Sequence, residues 1–415
     1  MAATARKAVS SGQTNKVLVC RAAVLPYSET FIKDQVLAYR SWRAVLVGFK
    51  PVAGGLPLEP LEVRLLDGPS PSFWSRVRRR LSAELGMAPS RAVAMLRREA
   101  ATLVHVHFAT DAVAFWPIVR RLGLPLIVTL HGYDINIHRS SWEARGVFRF
   151  AERRYPARLL KMAQHPGVHF VAVSRSIKQR AIEYGLPPER ISVRHIGIDL
   201  SRFEASGTPI SNRQPRILYV GRLVEKKGGE FLIRAYARLR SSVPGARLVM
   251  VGDGPLAGPL VTLAADLRAP VEFLGSCSRA EVKRQLGLAR VFCLPSVTAG
   301  NGDAEGMGMV ILEAQACGVP VITSARGGSD EGILEGVTGF SFGEKDVDSL
   351  TEKLKRLLLD DELALSMSGA GIRYVAETFD LHSCTRSLEE LYQQLLDKAG
   401  NAGDQTVSVR ALDAQ

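Results

Sequence analysis

Short apolar runs alternating with helix-period stretches constrain this chain more than any other feature of its sequence. In the first half the runs are Val17–Cys20, Ala44–Phe49, Leu103–His107, Leu126–Leu130 and His169–Val173. Between them lie Glu29–Tyr39, with helical spacing through Phe31, Val36 and Leu37, the stretch Ala112–Leu122, and a helix through Ile177, Ala181 and Tyr184 that stops at Gly185. The second half repeats the pattern. Ile217–Val220, Leu248–Val251, Val271–Leu274, Val291–Leu294 and Val319–Thr323 have strand length, and Gly229–Leu239 and Met309–Cys317 read as helices. Short apolar strands separated by helices argue for a parallel sheet covered on both faces. The pattern predicts an α/β protein made of two doubly wound, Rossmann-like units in tandem.

The 415 residues leave room for two sizeable cores. The unperiodic Gly/Thr/Pro/Ser/Asn stretch Ser206–Gln214 marks the boundary. The expected organisation is a disordered segment over 1–15, one unit over 16–205, a second over 206–383, a helix over 384–400 packing back on the first unit, and a disordered polar tail over 401–415. Ligands of open parallel sheets bind beyond the carboxyl ends of the strands. The loops after each strand are therefore where chemistry is expected, in a cleft between the units.

Five cysteines, Cys20, Cys277, Cys293, Cys317 and Cys384, form an odd set with no CxxC spacing. That argues against a disulfide framework or a zinc ribbon and for reduced thiols in the cytoplasm. Residues 1–15 lack an apolar stretch of the signal-peptide kind, and no run is long enough to span a bilayer, so a soluble or peripheral protein is expected. The net charge of +13 is uneven. Residues 1–205 carry 31 Lys and Arg against 15 Asp and Glu, whereas residues 206–415 carry 23 against 26. Such an excess in one half points to a polyanion or an anionic membrane near it.

Three segments carry chemistry. In Asp303-Ala-Glu305-Gly-Met-Gly-Met-Val-Ile-Leu-Glu313, two glutamates flank a loop whose Gly306 and Gly308 let a ligand approach the backbone. The helix starting near Met309 points free N–H groups at that loop, which suits an anion. Glu313 lies on a mostly apolar helix, where a carboxylate needs a partner. In Gly221-Arg222-Leu-Val-Glu-Lys-Lys227-Gly228, Arg222 and Lys227 follow a strand and can reach a diphosphate, Arg bidentately and Lys as a point charge. In His131-Gly132-Tyr133-Asp134, His131 stands just past a strand end in the loop layer of the first unit.

Together these segments resemble the motifs of family 4 of the retaining glycosyltransferases, whose fold is called GT-B. Glu305 and Glu313 match the family's E-x7-E pattern, Gly221-Arg222 and Lys227-Gly228 its phosphate-binding stretch, and His131-Gly132-Tyr133-Asp134 its HG-x-D stretch. Further matches run through Val173-Ser174, Gly185, His195-Ile-Gly197-Ile-Asp199, Phe203, Leu294-Pro295-Ser296, Gly327-Gly328, Glu331, Gly336 and Gly339-Phe340, so the resemblance covers about residues 17 to 395. Ser28-Glu29-Thr30-Phe31-Ile32 and His105-Val-His107-Phe108 resemble members that build bacterial exopolysaccharide. One departure stands out. Where many members carry a Gly-Gly loop after the first strand, this chain has Leu25-Pro26-Tyr27-Ser28-Glu29.

The resemblance implies a nucleotide-sugar as co-substrate, with a glycan or polyprenyl-linked glycan accepting a hexose-type sugar. It implies that Glu305 contacts the transferred sugar, Glu313 the ribose diol, Arg222 and Lys227 the diphosphate, assisted by Gly221 and by the backbone amides of Met307, Gly308 and Met309. His131 approaches the donor sugar. An oxocarbenium-like transition state needs leaving-group charge stabilisation above all, which Lys and Arg supply without a metal. The expectation is retention of configuration and no metal cofactor.

Rival readings are a sugar-nucleotide epimerase of the same fold, or a non-catalytic glycan- or membrane-binding protein, which the full set of Glu305, Glu313, Arg222 and Lys227 argues against. Gly252-Asp-Gly254-Pro-Leu-Ala257 mimics a dinucleotide fingerprint, but its acidic partner Glu272 falls at the start of a strand rather than its end. His105 and His107 share a strand face, where packing or acceptor contact outweighs metal binding. In the stretch from Phe73 to Leu85, Trp74, Val77, Leu81 and Leu85 share a helical face, off which lie Arg76, Arg78, Arg79 and Arg80. That basic amphipathic segment, with Phe73 and Trp74, suits the anionic inner face of the cytoplasmic membrane. No nucleic-acid module is present.

Overall fold

The computed structural model describes residues 15–70, 72, 73, 77, 85–144, 150–203, 207–324 and 327–412. In the first unit the strands are β1 (Asn15–Cys20), β2 (Ala23–Val24), β3 (Trp42–Gly48), β4 (Lys50–Pro51), β5 (Val63–Leu65), β6 (Leu103–His107), β7 (Leu126–Leu130), β8 (Val168–Ala172) and β9 (Ile191–Val193). Seven of them form one parallel sheet in the order β5-β3-β1-β6-β7-β8-β9, and β2 pairs with β4 beside it. The order reverses at β1, the point where open sheets leave a crevice for a ligand. In the second unit β10 (Arg216–Val220), β11 (Arg247–Val251), β12 (Val271–Gly275), β13 (Val291–Leu294), β14 (Val321–Ser324) and β15 (Gly339–Phe342) run parallel in the order β12-β11-β10-β13-β14-β15. The two predicted parallel sheets are both present.

Continuous apolar strands bury both faces. Every residue of β6, β7, β13 and β14 is buried, and Val17, Leu18, Val45, Leu126, Val128, Leu218, Val291 and Ile322 have no exposed surface. The two faces of each sheet pack against helices such as Ala109–Leu122 and Gly229–Leu239, which bury Phe115 and Ile118, and Leu232 and Tyr236. The chain crosses between the units twice, and the crossings are tied together. Ile198 donates its N–H to Phe379, and Leu381 donates to Ile198. A Cβ at Gly197 would strike the Leu381 backbone, so only glycine allows the two segments to touch.

After the second crossing a helix runs from Leu381 to Leu412 and lies against the first unit. Buried Glu389 accepts the N–H groups of Arg40, Ser41 and Trp42, and Tyr392 bonds both Tyr39 and His105. The helix extends past Asn401, where polar composition alone predicts a disordered tail, because a helix already docked needs only one more hydrogen bond per added residue. Trp74, Arg76, Arg78, Arg79 and Arg80 of the predicted membrane segment, and residues 1–14, lie outside the described residues. Among the described residues no helix is long and apolar enough to cross a membrane.

Candidate functional site

The basic side of the site follows from a tight turn after β10. Gly221 donates its N–H to Val251, and the Tyr219 hydroxyl donates to the carbonyl of Arg222. A single 3-10 turn over Glu225–Lys227 ends on Gly228 at φ +62°, where a Cβ would overlap the Pro295 carbonyl oxygen. That close packing sets the turn against the loop after β13. Lys227 Nζ then meets Glu305 Oε2 at 2.5 Å, and Lys226 meets Asp303 at 3.1 Å. Arg222 is exposed and forms no ion pair among the described residues.

The acidic side is the loop from Pro295 to Gly308 and the helix Met309–Ala316 that it leads into. Burial pushes the Glu305 carboxyl up, but Lys227 and Lys226 outweigh it and hold the group below the usual carboxylate range. Glu313 is half-buried on the helix, and its carboxyl has no hydrogen bond or ion pair among the described residues. Burial raises its pKa to about 7, with Asp34 adding to the rise and Arg279 opposing it. A carboxylate held this high is destabilised in its charged form and gains from any hydroxyl that donates to it. Gly308 stands at the helix start, where a Cβ would press on Leu294 and Ile311.

The first unit supplies the opposite wall. Buried Asp134 accepts N–H groups from Ala109, His131 and Gly132, which pins the turn after β7. Burial lifts its pKa to about 6 against those three bonds. The turn touches the acidic loop directly. A Cβ on Gly306 would overlap the His131 carbonyl oxygen, and one on Gly328 would overlap the Gly306 carbonyl oxygen. The His131 ring lies 5.1 Å from that of Phe31, 4.4 Å from that of Phe108 and 5.2 Å from that of His107.

Between these walls is a cleft of about 370 Å³. It is lined by Gly221, Arg222, Lys227, Glu305, Met307, Met309 and Glu313 from the predicted set, while His131 and Gly308 stand behind its lining. Cys277, after β12, also faces it. Sequence reasoning missed three charged residues of this cleft. Asp34, on the helix Thr30–Leu37, bonds Arg202 at 2.9 Å and Arg279 at 3.2 Å, and so joins the two units across the opening. Asp34 sat on a predicted helix, and its partners lie 168 and 245 residues away. The loop Leu25–Glu29, which replaces the Gly-Gly loop, is held by an ion network. Arg21 bonds Glu29 through Nε at 2.7 Å, pairs also with Asp111, and lies over the Phe108 ring at 4.5 Å.

The dinucleotide-like turn has another use here. Gly252 and Gly254, at φ +136° and +158°, lie against the backbone of Gly221 and Leu223, and Glu272 is a surface partner of Arg216. Their glycines serve the packing of the basic turn.

Residues 202–373 match the model of the glycosyl transferases group 1, and residues 40–202 that of Glycosyltransferase Family 4. The chain is 32% identical over 287 residues to the GDP-mannose-dependent alpha-(1-6)-phosphatidylinositol monomannoside mannosyltransferase of Mycolicibacterium smegmatis, a match spanning 66% of this chain and 72% of that protein. It is 31% identical over 271 residues to the amylovoran biosynthesis glycosyltransferase AmsK of Erwinia amylovora, across 65% of this chain and 64% of the relative. Among solved structures, Anabaena HepE in complex with UDP and glucose superposes with a TM-score of 0.72 at 21% identity, covering 91% of this chain and 99% of HepE. The sucrose-phosphate synthase of Thermosynechococcus elongatus also gives 0.72, at 18% identity, over 92% and 100% of the two chains. At these identities the structures establish the shared fold.

Proposed function

The chain belongs to the family 4 glycosyltransferases, and on that premise we propose that it moves a hexose-type sugar from a nucleotide-sugar donor to a glycan or lipid-linked glycan, with retention and without a metal ion. The observation that carries this reading is the convergence, in one cleft, of an exposed arginine, a lysine and two carboxylates of opposite character. Arg222 and Lys227 fit the diphosphate, the half-buried Glu313 fits the ribose diol, and Glu305 fits the sugar hydroxyls. The amides of Met307 and Gly308 fit the same diphosphate, whereas the Met309 N–H is donated to the Met307 carbonyl at 3.0 Å and would have to turn away from it to join them.

In the proposed step, the acceptor oxygen bonds the anomeric carbon as the bond from that carbon to the diphosphate oxygen breaks. The departing diphosphate takes the acceptor proton, which places attack and departure on one face and retains configuration. Charge on the leaving oxygen is met by Arg222 and Lys227, the role a divalent ion plays elsewhere. A lipid-linked acceptor is supported by the basic first unit and by the lipid named for the mycobacterial relative. The same excess of positive charge supports contact with an anionic membrane through Phe73, Trp74, Arg76, Arg78, Arg79 and Arg80.

The test is nucleotide release by purified protein in the presence of EDTA, with a panel of nucleotide-sugars and glycan acceptors. Release that depends on acceptor, survives EDTA and gives a product of unchanged anomeric configuration is expected. Loss on chelation restored by Mg²⁺, or an inverted product, would overturn the corresponding part. Interconversion of the sugar without acceptor would replace transfer by epimerisation.

A further inference from the structure

Three histidines lie in a row behind the cleft, and the proposed function uses only His131. His105 and His107 alternate along β6, and His131 follows β7 beside it. His105 is satisfied at both ring nitrogens, Nε2 with Thr129 at 2.7 Å and Nδ1 with the Tyr392 hydroxyl at 2.6 Å. His107 is not. Its Nδ1 lies 3.0 Å from His131 Nε2, while its own Nε2 is sealed from solvent with no partner among the described residues. His131 completes the contrast, because its Nδ1 has no partner among the described residues and is not sealed off.

From this geometry we infer that His107 is a positioning residue that fixes His131 as a hydrogen-bond donor through its open Nδ1. The inference rests on the transferase reading for the identity of the oxygen that receives the bond, but not for the proton positions. Two neutral imidazoles sharing one hydrogen bond have two arrangements. In the first, His131 donates from Nε2, and His107 must carry its proton on the sealed Nε2, an orphan N–H donor. In the second, His107 donates from Nδ1, its sealed Nε2 is a bare lone pair, and His131 carries its proton on the open Nδ1. Buried orphan N–H groups are rarer in folded proteins than under-satisfied acceptors, so the second arrangement holds. Both rings stay neutral, since burial drives the pKa of each well below the ordinary value and Arg21 adds to the effect.

The consequence is chemical. An Nδ1–H cannot take a proton from the attacking hydroxyl, but it can donate to an oxygen of the bound sugar nucleotide. His131 therefore acts as a fixed dipole, and the proton of the acceptor leaves by another route.

The experiment reads the tautomer directly. Protein labelled with ¹⁵N-histidine is observed by long-range ¹H–¹⁵N spectra at neutral pH, with His131→Ala identifying the signals. Wild type is expected to show His131 protonated at Nδ1 alone. In His107→Leu the constraint is gone, and His131 should become a mixture with substantial Nε2–H. His107→Asn keeps a donor near the Nδ1 position and should restore the wild-type pattern, whereas His107→Gln, whose amide sits at the Nε2 position, should not. Turnover should follow the tautomer, falling about 10- to 100-fold in the Leu and Gln variants and recovering in Asn, with the affinity for nucleoside diphosphate unchanged. An Nε2–H or charged His131 in wild type overturns the inference. So does a His107→Leu protein whose His131 remains Nδ1–H. The expected spectra with no transferase activity in any protein, wild type included, would instead count against the proposed function.

Discussion

At the scale of single residues, the ion pairs separate groups that sequence motifs treat alike. Arg222 is exposed and has no ion pair among the described residues, so Arg222→Ala removes charge stabilisation with no buried partner to strand. Turnover should fall by about 10- to 1,000-fold while the melting temperature holds, in the range seen when one transition-state donor is lost. Lys227→Ala should also lose turnover, but it strips the half-buried Glu305 of its partner and should lower the melting temperature as well. Near-wild-type turnover in both folded variants would remove the diphosphate assignment. The two glutamates should fail differently. Glu313→Ala should weaken nucleoside diphosphate binding by about 1.5–3 kcal/mol, the range for a charged hydrogen bond. Glu305→Ala releases Lys227 and leaves no sugar contact to lose in that ligand, so product affinity should hold or rise while turnover drops. The Glu313 carboxyl titrates near 7 in the free protein, and a ribose diol donating to it favours the charged form. Nucleotide binding should therefore release a proton, and affinity should rise with pH up to about 7 and then level off. Glu313→Gln should flatten that slope. Because the folded-state pKa lies above the unfolded value, this group stabilises the unliganded fold at low pH, and that contribution is lost as pH rises through 7. Calorimetry in two buffers of different ionisation heat measures the proton. A slope that persists in Glu313→Gln would assign it to the phosphates.

At the scale of elements, the site is held together where backbones touch. A Cβ on Gly306 would meet the His131 carbonyl oxygen, an atom that no rotamer change can move. Gly306→Ala should push the acidic loop away from the turn after β7, cost about 1–3 kcal/mol of stability and lower turnover well beyond that of Gly300→Ala. Gly300 meets only the tip of Glu225, so its substitution is the control. Equal activity in the two variants would show that the loop tolerates the displacement. How much of this could be read beforehand depends on locality. Runs such as Leu103–His107, Leu126–Leu130, Val291–Leu294 and the helix Gly229–Leu239 coincide with the elements found, because their burial is written in their own composition. The run Val319–Thr323 becomes β14 over Val321–Ser324, since Pro320 has no N–H to give the ladder. The edge strands β5, β9 and β15 went unread: they are three or four residues long and owe their form to a neighbour. Glu305, Glu313, Arg222 and Lys227 were legible because fixed spacing carries them. Asp34, Arg202 and Arg279 were not, since residues 168 and 245 positions apart meet only in the folded chain.

At the scale of the whole molecule, charge is shared unevenly between the two units. The second unit, with 23 basic and 26 acidic residues from 206 onward, has no pull toward an anionic surface, whereas the first has a strong excess of cations. Part of that excess gathers in one place. A groove of about 320 Å³ beside Leu85 is lined by Arg120, Arg154, Arg158 and Lys161 together with Trp116, Pro117 and Met162. Near the same stretch of sequence, Phe73 and Leu85 are 63% and 67% exposed. Cations around exposed apolar side chains are what an interfacial contact with anionic lipid requires: charge draws the protein to the surface and the apolar groups enter it. The purified protein should therefore bind vesicles containing phosphatidylglycerol and not vesicles of phosphatidylcholine alone. Binding should fall as salt rises from about 0.05 to 0.5 M, because exposed charges are screened over about 10 Å at 0.1 M. Replacing Arg76, Arg78, Arg79 and Arg80 together with Gln should cut vesicle affinity by at least tenfold. At about 1 kcal/mol per basic residue near the surface, four losses supply more than that. Nucleoside diphosphate affinity should not change, since Arg222, Lys227 and Glu313 are untouched. If the quadruple variant binds vesicles as wild type does, the segment is not the anchor, and substitution of Arg120 and Lys161 tests whether the groove is. If wild type itself ignores anionic vesicles at low salt, the charge of the first unit serves the acceptor and not the membrane.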